Sequence, residues 1–459
     1  MNFVELIRAE TKDLAGKTAI VEGDRRITYG ELFQRIDELR QTFAVQPGQR
    51  IAFRCADGID YVVGSLAILS AGAAVVPVAD SVTKEEAAET IEKIDVAGVL
   101  SLANDGLGFR WRSRPSNPEM DARCRELDAA FVRFSSGTTG ESKGVVLSHR
   151  AIEDRTAAAN HGLGITERDV ILWVLAMSHH FVVSILLFLR RGATIVVANR
   201  LFPFSMLEAI EQNPITFIYA SPVHYFLLAC SEQATAQSLA DVRLAISTAM
   251  KMPEETLELF FRKFNFAPAE AYGIIEIGLP LMNTESSLES RRTVGRILPD
   301  YELRIADADS EGVGEVLIRG NGMFDAYFSP WRLRDECLRD GWFDTGDLGK
   351  LDSAGRLSLL GRSKTVIVSA GMKVFPEEVE ETINSVPGVR ESLVRGRAHP
   401  QYGQVPVAEV VLASEATATV EQIRRHCFKR LSSYKVPVEF RIVQTLPKTA
   451  SGKLARSAL

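Results

Sequence analysis

Apolar positions along the chain keep two rhythms, one of period two and one of three to four. Residues 18–28 (TAIVEGDRRIT) alternate in two short runs about Gly23-Asp24 and predict a hairpin. Thr28 and Glu31 then stand at capping-box spacing, ahead of an amphipathic helix predicted through about Phe43. RIAFRC reads as a short strand, 60–71 as a helix and 74–78 as a buried strand. The stretch 61–79 carries no charge, and its length alone would allow a membrane crossing. Gly64, Gly72 and Pro77 punctuate it, however, so a helix ending at Gly72 followed by a buried strand is the better reading. Further on, DVILWVL, ATIVVA, ITFIYA, VRLAIST and PAEAYG read as buried strands, with helix-like MLEAIEQ and PEETLELFFRKF among them. The alternation predicts an α/β class of helix-covered sheets. The polar, proline-punctuated segment 104–126 reads as a surface connection.

After about residue 290 the grammar changes. GEVLIRG, GKLDSAGRLSLLG and TVIVSAG are β-rich with Gly and Asp turns. From Pro376 a compact α+β order follows: helix, strand, strand, helix, strand. We place the boundary near 362–364, giving a large N-terminal domain (1–362) with a β-rich subdomain and a small mobile C-terminal domain (363–459). A chain of 459 residues exceeds one ordinary core, which fits such a division.

The balance of 46% hydrophobic and 24% charged residues is that of a soluble globular protein, and a net charge of −6 argues against a nucleic-acid binder. An acidic protein must then concentrate positive charge locally if its ligand is a polyphosphate. The cysteines at 55, 124, 230, 337 and 427 have no metal-ligand spacing and are odd in number, which predicts free thiols in a reducing compartment. The N-terminus has no apolar secretory core, so a cytoplasmic location is expected. No HExxH pattern occurs.

The segment most informative about chemistry runs from Phe134 to His149, FSSGTTGESKGVVLSH. Gly137, Gly140 and Gly144 are interleaved with Ser135, Ser136, Thr138, Thr139 and Ser142 beside Lys143, just before an apolar run. Glycines let backbone N–H groups turn toward an anion, hydroxyls add donors, and the lysine supplies a point charge for phosphate oxygens. The Walker A spacing GxxxxGK[ST] is absent. This loop resembles the phosphate loop of the acyl-adenylate-forming (AMP-binding) superfamily, which includes acyl- and aryl-CoA synthetases and peptide synthetase adenylation domains. Other motifs of that superfamily follow in its order: AYGIIEIG, GEVLIRG, GWFDTGDLG, GRSKTVIVSAGMKVFPEEVE and LPKTASGKLARSAL.

The resemblance implies roles. Ser135, Ser136, Gly137, Thr138, Thr139 and Lys143 would cradle the phosphates of ATP, with Thr139 also counted as catalytic. Tyr272, between Ala271 and Gly273, would stack on adenine, and Ala249 and Met250 would lie against its edge. Glu276 would hold Mg²⁺, a cation content with one or two carboxylates plus phosphates and water. Asp347 would accept from the ribose hydroxyls, with Asp344 the alternative acceptor or else the organiser of the turn; Arg362 would reach the ribose and phosphate region, and Lys364 would be the hinge on which the small domain turns. Lys453 would bridge the carboxylate and the α-phosphate, offsetting the repulsion of two anions brought together. The expected reaction is activation of a carboxylic acid to acyl-AMP with pyrophosphate release. Transfer to a thiol would follow, either CoA or the phosphopantetheine of a separate carrier protein, with the 369–373 loop near the pantetheine path. An amine or small inorganic acceptor is the alternative.

Departures accompany the match. Ser142 stands for the usual proline, Ile275 for the usual threonine, and Thr365 for the common aspartate; the usual glycines near Ala249 are replaced. No aspartate stands between Asp169 and Ile215, where amino-acid-activating members carry one, so an α-amino acid is not expected. His179, His180, His224 and Gly278 are the candidate lining of the acyl pocket, which points to an aryl or medium-chain acid; a satisfied core histidine is the competing reading of His180.

Overall fold

The computed structural model describes residues 2–103, 106–134, 143–198, 202–285, 290, 293–369, 372–414, 418–448 and 454. The chain divides into two compact units: one of Met1–Ser135, Lys143–Glu302 and Arg319–Gly341, the other including Leu303–Ile318 and Trp342–Leu459.

Among the described residues the first unit holds a nine-stranded and an eight-stranded sheet. The centre of the nine-stranded sheet is parallel: Thr18–Glu22, Thr194–Val197, Val170–Trp173, Phe217–Ala220, Leu244–Ser247 and Ala269–Ile274 lie side by side in that order. Their near-continuous Val, Ile and Leu content is what burial on both faces requires. The antiparallel strand Arg25–Thr28 closes one edge, and Gly278–Asn283 with Arg296–Ile297 the other. The hairpin, capping box and helix expected at the start all form. Thr28 N donates to Glu31 Oε2 at 2.8 Å and Glu31 N to Thr28 Oγ1 at 3.2 Å, opening the helix Tyr29–Arg40.

The eight-stranded sheet is built about Arg50–Arg54, Ala74–Val78 and Ala129–Phe134, all parallel, with Gly144–Ser148 antiparallel beside the last. Helix Ile59–Ser70 and strand Ala74–Val78 account for the uncharged stretch, and among the described residues no helix is long and apolar enough to cross a membrane. Val76, Ile94, Cys124, Val132, Val146 and Phe328 belong to one buried cluster on this sheet.

Segment 104–126 corrects the sequence expectation. Strand Gly106–Trp111 pairs antiparallel with Gly98–Ala103, and helix Pro118–Glu126 follows. Pro118 read as loop punctuation, but it occupies the first helical turn, where its missing N–H costs nothing, and Asn117 Oδ1 caps Glu119 N at 2.9 Å. The helix docks through buried Cys124 and through Asp121, which accepts from fully buried Arg50 Nη1 at 2.8 Å.

In the second unit, Tyr301–Ala306, Gly314–Gly320, Phe343–Leu351 and Leu357–Arg362 form a four-stranded sheet. A five-stranded sheet carries helices Pro376–Asn384 and Val420–Arg430, and Val379, Ile383, Val394, Val410, Ile423 and Phe440 are among its core. The expected α+β order from Pro376 is observed: helix, Val389–His399, Gly403–Leu412, helix, Glu439–Ile442. The 362/363 boundary lies inside this unit; it marks an expected pivot, which packing in one arrangement does not address.

Candidate active site

The proposed phosphate loop joins Ala129–Phe134 to Gly144–Ser148. Of its expected ligands, Ser135, Ser136, Gly137, Thr138 and Thr139 lie outside the described residues, as does Lys453. Lys143 is described, half-buried, with its Nζ 4.8 Å from the centre of the Tyr327 ring. The Tyr327 hydroxyl donates to Glu276 Oε1 at 3.1 Å. Tyr327 thus ties the lysine of the loop to the carboxylate expected to hold magnesium. Burial and the adjoining Glu276 charge push the Tyr327 phenol well up, so it stays protonated and donates.

Glu276 sits in the turn between the antiparallel strands Ala269–Ile274 and Gly278–Asn283. Two backbone bonds fix that turn from outside. Phe324 N donates to Glu276 O at 2.7 Å, and Arg155 Nη1 donates to Ile275 O at 3.0 Å. Arg155, buried on the helix His149–Leu163, also donates through Nε and Nη2 to Gly322 O at 2.9 and 2.6 Å. Gly322 has φ +75°, and a Cβ there would meet Arg155 N at 2.5 Å, so only glycine permits the approach. Burial lowers Arg155 to about 10, which leaves it charged at neutral pH. The helix itself is capped by Ser148, whose N donates to half-buried Asp325 Oδ2 at 2.6 Å.

Tyr272 lies on the strand leading to this turn, opposite Leu281, with Ala271 opposite Met282. Gly273 is confined, since a Cβ would fall 2.8 Å from Gly278 O. Ala249 has φ +75° and is exposed beside Met250, which is 63% exposed. An alanine in the left-handed region carries backbone strain, and here it follows directly on the C-terminal end of the parallel strand Leu244–Ser247.

The expected acyl-pocket residues divide. His179 and His180 both donate their backbone N–H to Ala176 O, at 3.0 and 3.1 Å, and precede a π-type helical segment Phe181–Ile185, a geometry frequent at functional sites. Gly278 borders the same segment: a Cβ there would stand 3.8 Å from Val183 Cγ1, and 3.2 Å from Tyr301 Oη. His224 packs edge-on to Phe202 with ring centres 4.7 Å apart, its Nδ1 2.8 Å from Ser221 Oγ. It is 7% exposed, and burial lowers it to about 4, so it is neutral near pH 7.

In the second unit, Asp347 and Arg362 are cross-strand partners. Arg362 Nε stands 2.7 Å from Asp347 Oδ1, and Arg362 Nη1 donates to Thr345 O at 3.2 Å. Asp344 Oδ1 accepts from Gly346 N at 2.8 Å and so organises the turn. Lys364 is exposed on the turn after Leu357–Arg362.

The site residues that sequence reasoning did not name are Tyr327, Arg155 and Arg133. Arg133 was legible as a charge in the otherwise apolar run AAFVRF immediately before the loop. As for a metal, the described residues hold no cluster of three or more His, Cys, Asp or Glu suited to one. Glu276, hydrogen-bonded to Tyr327 under Lys143, suits magnesium, which takes its remaining oxygens from phosphate and water.

Comparison with known proteins agrees in extent. The family model for AMP-binding enzymes matches residues 7–328, and that for the AMP-binding enzyme C-terminal domain matches 378–453. A methyl-dioxo-octahydroindenyl-propanoyl:CoA ligase of Rhodococcus jostii is 27% identical, covering 99% of this chain and 97% of its own. A feruloyl-CoA synthase of an Amycolatopsis species is 25% identical over 96% and 94%. The crystal structure of ATP-bound MatB from Rhodopseudomonas palustris matches with a TM-score of 0.85 at 26% identity, over 99% of this chain and 97% of that one. Motif order, fold and full-length coverage together place the chain in the AMP-binding enzyme family, within the acyl-adenylate-forming superfamily.

Proposed function

We propose that the protein activates a carboxylic acid with ATP to acyl-AMP and pyrophosphate, then transfers the acyl group to the thiol of CoA or of a carrier-bound phosphopantetheine. The observation that carries this reading is the Lys143–Tyr327–Glu276 constellation beside the phosphate loop. Relatives over the full length include CoA ligases, and a similar structure holds ATP.

In this reading the loop and Lys143 grip the triphosphate, and Tyr327 orients Glu276. Magnesium, when bound, neutralises phosphate charge next to Glu276. Tyr272 and the strand end at Ala249 and Met250 hold the adenine, and Asp347 takes the ribose hydroxyls. Lys453 screens the acid carboxylate from the α-phosphate as the new P–O bond forms and pyrophosphate leaves. The second step needs the small domain, taken as 363–459, to turn about Lys364. The thiolate then attacks the acyl carbon and AMP departs with the bonding pair. An aryl or medium-chain acid fits the pair His179 and His180, the neighbouring Phe181 and the absence of an acidic anchor for an amine.

The test is pyrophosphate release over a panel of aryl, hydroxycinnamic and fatty acids, followed by AMP release with CoA, carrier proteins or amines supplied in turn. Lys453→Ala should slow adenylation by roughly 10²–10³ and spare thioester formation from preformed acyl-AMP. Near wild-type ATP–pyrophosphate exchange in that variant would defeat the assignment.

A further inference from the structure

Arg133 is the penultimate residue of the strand Ala129–Phe134, just before the phosphate loop. Arg133 is half-buried. Nη1 donates to His179 O, and Nη2 stands 3.3 Å from His179 Nδ1. An arginine can only donate, so His179 Nδ1 must accept, which puts the ring proton on Nε2. Among the described residues no carboxylate stands within ion-pair distance of Arg133. Glu276 and the buried Tyr61 hydroxyl lie within electrostatic reach, and among the described residues that hydroxyl has no hydrogen-bond partner.

The buried arginines of this unit are committed differently. Arg50 is neutralised by Asp121 at 2.8 Å, and Arg190 by Glu10 at 2.9 Å. Arg155 spends three N–H groups on two carbonyls and thereby shapes the Glu276 turn. Among the described residues, Arg133 hydrogen-bonds His179 alone and leaves donors for a further partner. A half-buried guanidinium with no described carboxylate in ion-pair range and with donors to spare is placed to receive an arriving oxyanion.

We propose that Arg133 is an oxyanion-binding residue of the activation site, braced by His179, that takes a carboxylate of the acid or the α-phosphate of the nucleotide. The assignment rests on the adenylation reading, whose ligands supply the anion. Burial depresses Arg133 to about 10, so it is cationic throughout the working range. Its planar fork suits either oxyanion, and lysine would replace the charge without the geometry.

The test uses the full-length protein and Arg133→Met, with Arg133→Lys as the milder variant. Two titrations separate the sources of the anion. Calorimetry with α,β-methylene-ATP and Mg²⁺ reads the nucleotide. Pyrophosphate release with butyrate against succinate, and cinnamate against 4-carboxycinnamate, reads the acid. Weakening of the analogue by roughly ten- to hundredfold in Arg133→Met, with Arg133→Lys intermediate, assigns the phosphate. Unchanged nucleotide affinity with a comparable rise in acid KM assigns the carboxylate, and a rise confined to the diacids assigns a second carboxylate. Because no ion pair with a described residue is lost, the ligand-free melting temperature should stay level or rise. A variant that melts several degrees lower while binding both ligands normally, or that is unchanged in every respect, overturns the proposal. Absence of pyrophosphate release by wild type with every acid would instead defeat the adenylation reading, and the analogue titration would still judge Arg133.

Discussion

Tyr327 has two faces: an aromatic surface under Lys143 and a hydroxyl on Glu276. Tyr327→Phe keeps the first and removes the second. One hydrogen bond to a charged group is worth about 1.5–3 kcal/mol. The variant should therefore need about ten times more Mg²⁺ for half-maximal pyrophosphate release, with little change in melting temperature. His224 offers a pH test. Burial lowers it from 6.5 to about 4, so its contribution to stability is present above pH 6.5 and is lost as pH falls through about 4. The slope is at most about 1.4 kcal/mol per pH unit. Gln keeps the capping contact at that helical position, so His224→Gln should flatten the acid limb of thermal stability between pH 6.5 and 4. Motifs made Lys143, Glu276, Asp347 and Arg362 legible in the sequence, because each stands beside its own glycines. Tyr327 and Arg155 were not, since they reach Glu276 and Ile275 across 51 and 120 positions and nothing local marks the encounter.

At the scale of elements, the strands read as apolar runs were found, because a strand buried on both faces carries its signal in composition alone. The helix Pro118–Glu126 was hidden for the opposite reason: it is mostly charged, and Cys124 is its one buried residue. What holds it is electrostatic. Arg50 donates to Asp121 at 2.8 Å, Asp95 O at 2.8 Å and Ile94 O at 3.1 Å, with no exposure of its own. Arg50→Met should cost about 3–5 kcal/mol, because it strands a partly buried carboxylate and several carbonyls. Urea denaturation of this variant, of Asp121→Asn and of the double variant would measure it. A double variant no worse than Arg50→Met alone would show that the cost lies in the orphaned carboxylate.

At the scale of the molecule, a chain of net charge −6 gathers Arg133, Lys143 and Arg155 around one acidic turn, the local positive field expected of an acidic protein that handles polyphosphate. The two half-reactions of the proposed cycle differ in what they ask of the backbone. Lys364 is exposed on a turn, and proline there would fix φ and restrict the residue before it. Lys364→Pro should retain pyrophosphate release within a few-fold and lose transfer to CoA by roughly 10² or more, read as acyl-CoA formed from preformed acyl-AMP. Equal loss in both steps would argue against a pivot at this residue.

The strand Thr18–Glu22 pairs in parallel with Thr194–Val197, with Ile20 opposite Ile195. During synthesis at about 5–20 residues per second, the first of these leaves the ribosome on the order of ten seconds or more before its neighbour exists. Through that interval an apolar hairpin waits without its sheet, shielded on one side by Arg25 and Arg26. Removal of the first thirty residues would strip both strands from one edge of the sheet and leave Thr194–Val197 as the new, unpaired edge. Expression of the intact large domain therefore depends on its earliest segment being kept from association until the chain has passed residue 197.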